Sequence, residues 1–277
     1  MKFIILLTIL NINLSCNKKI SANKNEIKQK TETTLVDSLE KKKNIIEITN
    51  NQVIPIKEQE IKQDNSYFED SIEIAISQMF KEKKIDFVDS KLNDIYKDEK
   101  IPKKYKAYWT TYLYYYKSIF YKGNLKDNKK ASEFIDKAIE LIEKDLTSSE
   151  DYALYASCLS FSIQFANMTQ LASISSSVSE NAEKALSLNN KNIRAYYVLT
   201  SNNFYTPKMF GGMAKVEEYA KKGLACPNSL ENENYYAPYW GKPRIYELLI
   251  NYYKAENKLK KADETKNLAK KEFSNLF

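Results

Sequence analysis

The sequence contains no histidine, and this absence excludes several kinds of chemistry at once. Ser-His-Asp triads, Cys-His dyads and HExxH zinc sites all need an imidazole as a base or a metal ligand. Carboxylates are abundant, but they are mixed with lysines, as in residues 127–144, where i,i+4 ion pairing is the simpler account. We therefore expect a binding protein rather than an enzyme, with no metal and no cofactor. A hydrolase stays open as a third possibility, which would need a convergent carboxylate pair or an activated serine in a cavity.

Glycine and proline are scarce, with 5 and 6 residues respectively. Lysine, glutamate, asparagine and tyrosine recur throughout the chain instead. Few helix breakers among many helix-tolerant residues favour an all-α fold over a sandwich or a barrel.

A strong charge imbalance is also lacking, since the formal net charge is +7 at pH 7. The lysines are spread along the chain and mixed with acidic residues, rather than gathered into one stripe. This pattern is typical of solvated helix faces and differs from the basic footprint of a nucleic-acid-binding protein. We expect no DNA or RNA partner.

Only three cysteines occur, and no two are spaced as CxxC. Cys158 lies in an apolar helical stretch, and Cys226 comes just before Pro227 at the predicted end of a helix. Two buried free thiols are the simpler interpretation of this pair. A disulfide between them stays open for an oxidising compartment, because the sequence does not determine it.

The first 16 residues have the features of a signal peptide that ends in a cysteine. Lys2 precedes an apolar run over residues 3–10, which is too short to span a bilayer. Ser15 and Cys16 resemble the lipobox of bacterial lipoproteins, although Asn13 stands where leucine or valine is usual. The resemblance implies cleavage before Cys16 and acylation of its thiol and of the new amino terminus. The alternative is an ordinary secretory signal with an incidental cysteine, which would give a soluble secreted protein.

The residues after Cys16 predict a cellular location and a tether. Asn17 stands where an aspartate would signal retention in the inner membrane, and no acidic run typical of surface export follows. We expect a protein held by its lipid in the outer membrane of the cell envelope, facing the periplasm. Residues 17–65 are polar, have no sustained period and cannot bury enough apolar area to fold, so they are predicted to be a disordered tether.

Helical periodicity begins near Tyr67, so residues 66–277 are predicted to form one helical domain. The predicted helices cover residues 67–80, 85–96, 105–121, 131–146, 151–166, 169–188, 193–205, 213–226, 243–255 and 259–273. The helix over residues 105–121 carries two apolar stripes, which suits an inner helix with neighbours on both sides. Pairing successive helices gives about five helix hairpins.

Residues 181–227 carry the clearest repeat signal. Ala185 and Leu188 precede a polar turn, and Ala195 follows it. This order of small and large residues resembles the junction between two tetratricopeptide (TPR) repeats. The resemblance implies a TPR-like right-handed α-solenoid, although Asn190 replaces the family's usual proline between repeats and the unit lengths vary.

One candidate ligand site is the connection that ends in Phe210, Gly211 and Gly212. A Gly-Gly pair before a helix can aim N–H groups at an anion, and a tight, close-packed turn is the alternative interpretation. Together with Pro207, these positions resemble the periplasmic TPR components of TRAP-type transport systems. That resemblance implies TPR helices around a ligand-binding tunnel and self-association, so a homo-oligomer is included among the expectations.

A second candidate site is the connection over residues 235–244, which contains Tyr239, Trp240 and Arg244. Four aromatic residues beside an arginine can form a stacking platform for a sugar, a peptide or an organic anion. The same residues can equally be ordinary core that covers the last hairpin.

The leading hypothesis is a lipid-anchored helical-repeat module that binds a protein or peptide partner in a concave groove. The expected contacts are inner-helix aromatics, each of which is more often buried between hairpins than exposed to a partner: Tyr108, Trp109, Tyr112, Tyr115 and Tyr196. The alternative is a periplasmic small-ligand-binding component of a transport system, which would use the two connections above. An open polar groove would favour the first hypothesis, and an enclosed aromatic cavity on the order of several hundred Å3 the second.

Overall fold

The computed structural model describes residues 67–227 and 234–274. Within these residues the chain forms ten α-helices and no β-strand, which confirms the prediction of an all-α fold. The helices are α1 (Phe68–Glu82), α2 (Asp86–Lys97), α3 (Lys103–Phe120), α4 (Asn128–Glu143), α5 (Ser149–Ser162), α6 (Leu171–Leu188), α7 (Ile193–Tyr205), α8 (Val216–Ala225), α9 (Lys242–Ala255) and α10 (Leu259–Glu272). The predicted signal peptide, the predicted lipidation site Cys16 and the predicted tether lie outside the described residues.

Successive helices of the described residues pack as five pairs: α1 with α2, α3 with α4, α5 with α6, α7 with α8, and α9 with α10. The first helices of successive pairs also contact one another, from α1 through α3, α5 and α7 to α9. Each unit therefore packs mainly against the units beside it, as stacked helix hairpins do. The number of pairs agrees with the predicted number of hairpins, and the right-handed TPR-like superhelix stays a prediction.

Helix boundaries differ from the predicted ones where local backbone chemistry decides them. Helix α5 begins before the predicted residue 151, because Ser148 and Asp151 form a capping box. The Ser148 N–H donates to Asp151 Oδ2 at 2.8 Å, and the Asp151 N–H donates to Ser148 Oγ at 3.3 Å. Helix α8 begins only at Val216, after the predicted residue 213, because Met213 has a left-handed backbone with φ of 68°.

Helix α3 is the centre of the aromatic core. Both of its predicted apolar stripes are buried, and Trp109, Tyr112, Tyr116 and Phe120 have no exposed surface. The helix contacts α1, α2, α4 and α5, which confirms that it has neighbours on both sides. Burial of each large side chain stabilises the fold by roughly 1.5–3 kcal/mol.

The two described cysteines, Cys158 and Cys226, are free and buried. Burial raises the pKa of both thiols, so both are neutral and poor nucleophiles at physiological pH. The interpretation as two buried free thiols is confirmed, and the alternative disulfide is not formed.

Candidate functional site

Residues 234–241, here called the strap, run across the helices of the first two pairs just before α9 begins. The N–H of Phe68, at the start of α1, donates to the Tyr235 carbonyl at 3.0 Å. The indole N–H of Trp109 on α3 donates to the Tyr236 carbonyl at 3.0 Å. The strap is therefore held by hydrogen bonds between parts of the chain that are far apart in sequence.

Glu69 on α1 anchors the far end of the strap. Its Oε2 accepts the backbone N–H groups of Tyr239 at 2.7 Å and Trp240 at 3.2 Å. The side chain is 1% exposed, and burial, followed by the charge of Glu73, raises its pKa to about 8. Glu69 therefore spends much of the neutral pH range protonated, because the two N–H groups and the nearby Arg194 only partly offset its burial.

The strap forms one wall of a cleft of about 770 Å3 that is open to solvent. We call this space the tyrosine cleft; its lining consists of Lys104, Tyr105, Tyr108, Ser148, Glu150, Asp151, Asn234, Tyr235, Tyr236, Ala237 and Pro238. Its other walls come from the start of α3 and from the N-terminal turn of α5. Three separate parts of the chain thus build it.

Aromatic rings give the cleft a stacking surface. The rings of Tyr105 and Tyr236 are stacked, with centroids 5.9 Å apart and an angle of 28° between their planes. Asn234 Nδ2 donates to the Tyr105 hydroxyl at 2.7 Å, and Lys104 Nζ lies 4.8 Å from the Tyr105 ring centroid. Tyr235 is 49% exposed and extends the aromatic surface toward solvent.

The acidic groups of the cleft already have partners. Glu150 accepts two hydrogen bonds from the buried Arg194, at 2.6 Å from Nε and 2.7 Å from the terminal nitrogen. Such a bidentate guanidinium–carboxylate pair is strong and fixes the geometry of both side chains. Asp151 is held by the capping box with Ser148. Neither carboxylate is placed to act as a free base.

A second polar region lies among the first helices of the pairs. We call it the inner cluster; its members are Tyr112, Tyr115, Tyr197, Tyr205, Arg244 and Glu247. The terminal nitrogen of Arg244 donates to the Tyr112 hydroxyl at 3.0 Å, and that hydroxyl donates to Glu73 Oε1 at 2.7 Å. The rings of Tyr116 and Trp240 lie 5.1 and 5.3 Å from the guanidinium carbon. Arg244 is therefore held between aromatic faces, as a cation often is.

The ionisable groups of the inner cluster have shifted pKa values because they are withdrawn from water. Burial raises the pKa of Glu247 to about 7, against the opposing charge of Arg244. Burial also raises the pKa of Tyr115 and Tyr205 to about 12 and that of Tyr197 well above its usual value. The three phenols are therefore neutral at physiological pH and can both donate and accept hydrogen bonds.

Trp240 separates the two regions. Its indole N–H donates to the hydroxyl of Tyr108, which lines the cleft, at 3.0 Å. Its ring centroid lies 5.4 Å from that of Tyr112 and 5.8 Å from that of Tyr197, which both belong to the inner cluster. The same indole thus connects a residue of the cleft lining with two members of the inner cluster.

The aromatics predicted to contact a partner are placed mainly in the core. Tyr108, Trp109, Tyr112 and Tyr115 are all buried, so the core interpretation describes their packing. Tyr108 and Tyr115 additionally border the cleft and the inner cluster. Tyr196 is half-buried on α7, and its hydroxyl donates to a backbone carbonyl in the preceding turn at 3.2 Å.

The Gly-Gly connection forms a tight turn of its own. The N–H groups of Gly211 and Gly212 donate to carbonyls within the same loop, at 3.0 and 3.2 Å. A Cβ on Gly212 would lie 1.7 Å from the carbonyl oxygen of Thr206, so only glycine fits there. Helix α8 starts later, at Val216, and Phe210 is 72% exposed. This geometry matches the close-packed turn rather than N–H groups aimed at an anion.

The second candidate connection, residues 235–244, is divided between the tyrosine cleft and the inner cluster. The Tyr239 hydroxyl donates to the Asp70 carboxylate, and Trp240 is buried, so neither ring offers a free stacking face. Arg244 belongs to the inner cluster. The exposed stacking surface is formed by the other two of the four predicted aromatic residues, Tyr235 and Tyr236.

Sequence reasoning also missed Glu69, Arg194 and Glu247. Arg194 and Glu247 are charged residues within otherwise apolar stretches of a helix, and that pattern is the signal that could have identified them. Glu69 lies in a polar helix start, which gives no such signal. The pairing of Arg194 with Glu150 joins α7 to α5, and no local spacing predicts such a contact.

Neither a metal-ligand cluster nor a bilayer-spanning helix occurs in residues 67–227 and 234–274. No three Asp, Glu or Cys side chains there gather closely enough to hold a metal ion. Nor does that part of the chain contain a helix whose length and apolar character would let it cross a bilayer.

Comparisons with known proteins give one similar structure. No protein-family model matches the sequence, and no curated protein matches it. Among solved structures, the HusA haemophore from Porphyromonas gingivalis is similar, with 22% sequence identity over 71% of this chain and 96% of that chain. The TM-score of 0.48 is too low for this likeness to carry an argument about fold or function.

Proposed function

We propose that this protein is a TPR-like, lipid-anchored binding protein of the cell envelope that holds a peptide segment of a partner protein in the tyrosine cleft. The observation that carries the proposal is an open cleft of about 770 Å3 with stacked tyrosine rings in its wall. Ligand pockets usually measure roughly 300–1,000 Å3, so the size is appropriate. An open cleft suits a peptide that continues beyond both of its ends.

The lining favours a peptide that carries an aromatic or proline side chain next to an acidic one. The faces of Tyr235 and Tyr236 offer apolar area for such a ring at low cost in conformational entropy. Lys104 supplies a positive charge beside Tyr105, and it forms no ion pair within the described residues. An acidic side chain of the peptide would pair with it.

The paired carboxylates support binding rather than catalysis. Glu150 is committed to Arg194 and Asp151 to the start of α5, so neither is available to a reacting substrate. Acylation of Cys16 and the tether over residues 17–65 would hold the domain near the membrane at which the partner is met.

Site-specific photo-crosslinking in cells tests the proposal. A photoreactive phenylalanine analogue replaces Tyr235, which is 49% exposed in the cleft, and in a control protein it replaces Tyr96, which is 83% exposed on α2. We expect a specific envelope protein to be captured from position 235 and not from position 96. Mass spectrometry of the crosslinked peptide then identifies the bound segment.

The identified segment is synthesised and its affinity for the full-length protein is measured by calorimetry. Tyr236→Ala removes a stacked ring worth about 0.5–1.5 kcal/mol and should weaken binding about two- to tenfold, whereas Tyr96→Ala should leave the affinity unchanged. An affinity that Tyr235→Ala and Tyr236→Ala both leave unchanged would contradict binding in the cleft.

The alternative function is a small-ligand component of a transport system. The inner cluster favours it, because the partly buried Glu247 carboxyl there forms no hydrogen bond and no ion pair within the described residues. Haemin is included in the same titrations as a test ligand. Saturable binding of haemin that the cleft variants abolish would replace the peptide with a small ligand in this proposal.

A further inference from the structure

The first helices of the five pairs run in the same direction, so the turns inside the pairs lie at one edge of the domain. Glu150 and Arg194, at the starts of α5 and α7, form an ion pair. The rings of Phe80 and Phe120, at the ends of α1 and α3, have centroids 5.5 Å apart. We call this edge the tip edge; it consists of the turns over residues 83–85, 121–127, 163–170, 206–215 and 256–258, together with Leu259.

Contacts between neighbouring turns join the tip edge into one surface. Lys208 Nζ lies 2.7 Å from Glu256 Oε1, which connects the turn of the fourth pair to that of the fifth. Lys122 Nζ lies 5.1 Å from the centroid of the Phe165 ring, which connects the turn of the second pair to that of the third. Side chains on different turns can therefore meet the same partner.

Large apolar side chains project from the tip edge into solvent. Met168 is 85% exposed, Met209 83% and Phe210 72%, and Leu125 and Leu259 are exposed as well. Single exposed apolar residues are common on protein surfaces, but these five gather at one edge. Such a gathering is typical of a surface that meets a partner or a membrane.

The charge of the tip edge is positive. Its lysines are Lys83, Lys84, Lys122, Lys126, Lys208, Lys215 and Lys258. Its acidic residues both have other roles, since Glu256 pairs with Lys208 and Asp127 accepts the Lys130 N–H at the start of α4. At the opposite edge, acidic residues such as Asp98 and Asp145 are mixed with the lysines. The positive charge therefore lies on the same edge as the exposed apolar side chains.

We propose that the tip edge docks on an anionic membrane surface. Met168, Met209 and Phe210 insert at the boundary between headgroups and acyl chains, and the lysines lie against the lipid phosphates. A protein interface is built around a continuous apolar core, whereas these side chains belong to separate turns with lysines between them. Lipid is therefore the partner that this surface fits.

Docking by the tip edge also orients the tyrosine cleft. The cleft lies where α3 and α5 begin, which is the opposite edge of the domain. The cleft therefore opens away from the membrane, toward the space in which a partner is met. This docking depends neither on the ligand of the cleft nor on acylation of Cys16.

Fluorescence quenching in vesicles tests the proposal. Full-length protein with Phe210→Trp is reconstituted into vesicles of phosphatidylethanolamine and phosphatidylglycerol whose acyl chains are brominated. Tyr96→Trp, at an equally exposed site on the opposite edge, is the matched control. Trp109 and Trp240 are buried and give the same background in both proteins. We expect emission from position 210 to shift to the blue and to be quenched, and emission from position 96 to stay unchanged.

Lysine variants test the contribution of charge. A lysine close to an anionic surface strengthens binding about fivefold, so Lys84→Gln combined with Lys126→Gln should lower the docked-to-free ratio at least about tenfold. Lys97→Gln combined with Lys100→Gln, at the opposite edge, should leave the ratio unchanged. Vesicles of neutral phosphatidylcholine should quench position 210 much less.

Three results would overturn the proposal. Equal quenching at positions 210 and 96, or quenching at neither, would mean that the tip edge does not face the lipid. A blue shift without quenching would mean that protein covers position 210, as in a dimer of this chain. Quenching that neutral lipid and the tip-edge lysine variant both leave unchanged would exclude an anionic surface as the partner.

Discussion

The tyrosine cleft and the inner cluster both contain tyrosine and glutamate side chains, but they differ in how their charges are satisfied. In the cleft, Glu150 and Arg194 form a bidentate pair between two helices. In the inner cluster, Arg244 pairs with Glu73 of α1 at the longer distance of 3.5 Å, and Glu247, one turn later on α9, forms no ion pair within the described residues. A short bidentate pair fixes the geometry of both side chains more firmly than a single longer contact does.

Removal of the Trp240 side chain, which lies between the two regions, should have the largest effect on stability. Trp240→Ala deletes a buried indole and its hydrogen bond to Tyr108, so we expect a loss of about 4 kcal/mol in the free energy of unfolding. Urea denaturation measures this loss, and Tyr96→Ala should change it by less than about 0.5 kcal/mol. A loss below about 1 kcal/mol would contradict the packing of the Trp240 indole between the two regions.

Breaking the ion pair between Glu150 and Arg194 should have the next largest effect on stability. Glu150→Gln leaves the Arg194 guanidinium, which is 3% exposed, without its charged partner, and we expect a cost of about 3 kcal/mol. Thermal and urea unfolding report this cost. Glu133→Gln, an exposed substitution on α4, serves as the control and should be nearly neutral. Equal stability of the two variants would contradict the structural role of the pair.

The buried carboxyls should make stability depend on pH. The pKa of Glu69 is raised to about 8 and that of Glu247 to about 7, from an ordinary value of 4.5. The folded protein therefore binds more protons than the unfolded chain, and stability should fall as pH rises from 5 to 8.5. Urea midpoints across this range measure the dependence.

The control for this pH dependence is a variant that lacks the Glu69 carboxyl, which is its main source. Glu69→Gln should flatten the pH profile, because the neutral amide cannot ionise. The hydrogen bond with Lys221 lowers the pKa of Glu217 to about 2, so that residue affects stability only at more acidic pH. A profile in which unaltered protein gains stability from pH 5 to 8.5 would contradict the burial of Glu69.

Glu247→Gln should have the smallest effect on stability, in contrast to Glu150→Gln. Glu247→Gln breaks no pair, and it relieves the burial of a carboxylate, so at pH 8 we expect it to stabilise the fold by about 0.5 kcal/mol. Thermal unfolding at pH 8, with Glu264→Gln as the matched control, measures the difference. A loss as large as that of Glu150→Gln would show that Glu247 has a structural partner.

Most of the fold followed from local patterns. The spacing of apolar residues predicted every described helix, and the two stripes on α3 predicted its central position. The boundaries that shifted depended on side-chain and backbone detail, such as the cap at Ser148 and the left-handed Met213. Those features are local too. A serine that precedes acidic residues is a capping pattern that can be recognised in the sequence.

The candidate site was much less predictable. Arg244 was singled out, but its neighbours Tyr197 and Glu247 come from separate or unmarked positions that only packing brings together. Tyr105 and Tyr236 stack across a large gap in the sequence, and a single sequence contains no signal for such a pair. Aromatic residues alone did not distinguish core from ligand surface, because both contain tyrosine.

The strap has a consequence for how this domain folds. Stacked helix hairpins usually fold through contacts between neighbouring units, which are close in sequence and form quickly. Here the N–H of Phe68 and the carboxyl of Glu69 find their partners only in residues 235–240. During synthesis, the first helix therefore stays incomplete until most of the chain has left the ribosome. The protein is thus expected to lose its first and last hairpins in one cooperative step, rather than to fray from either end.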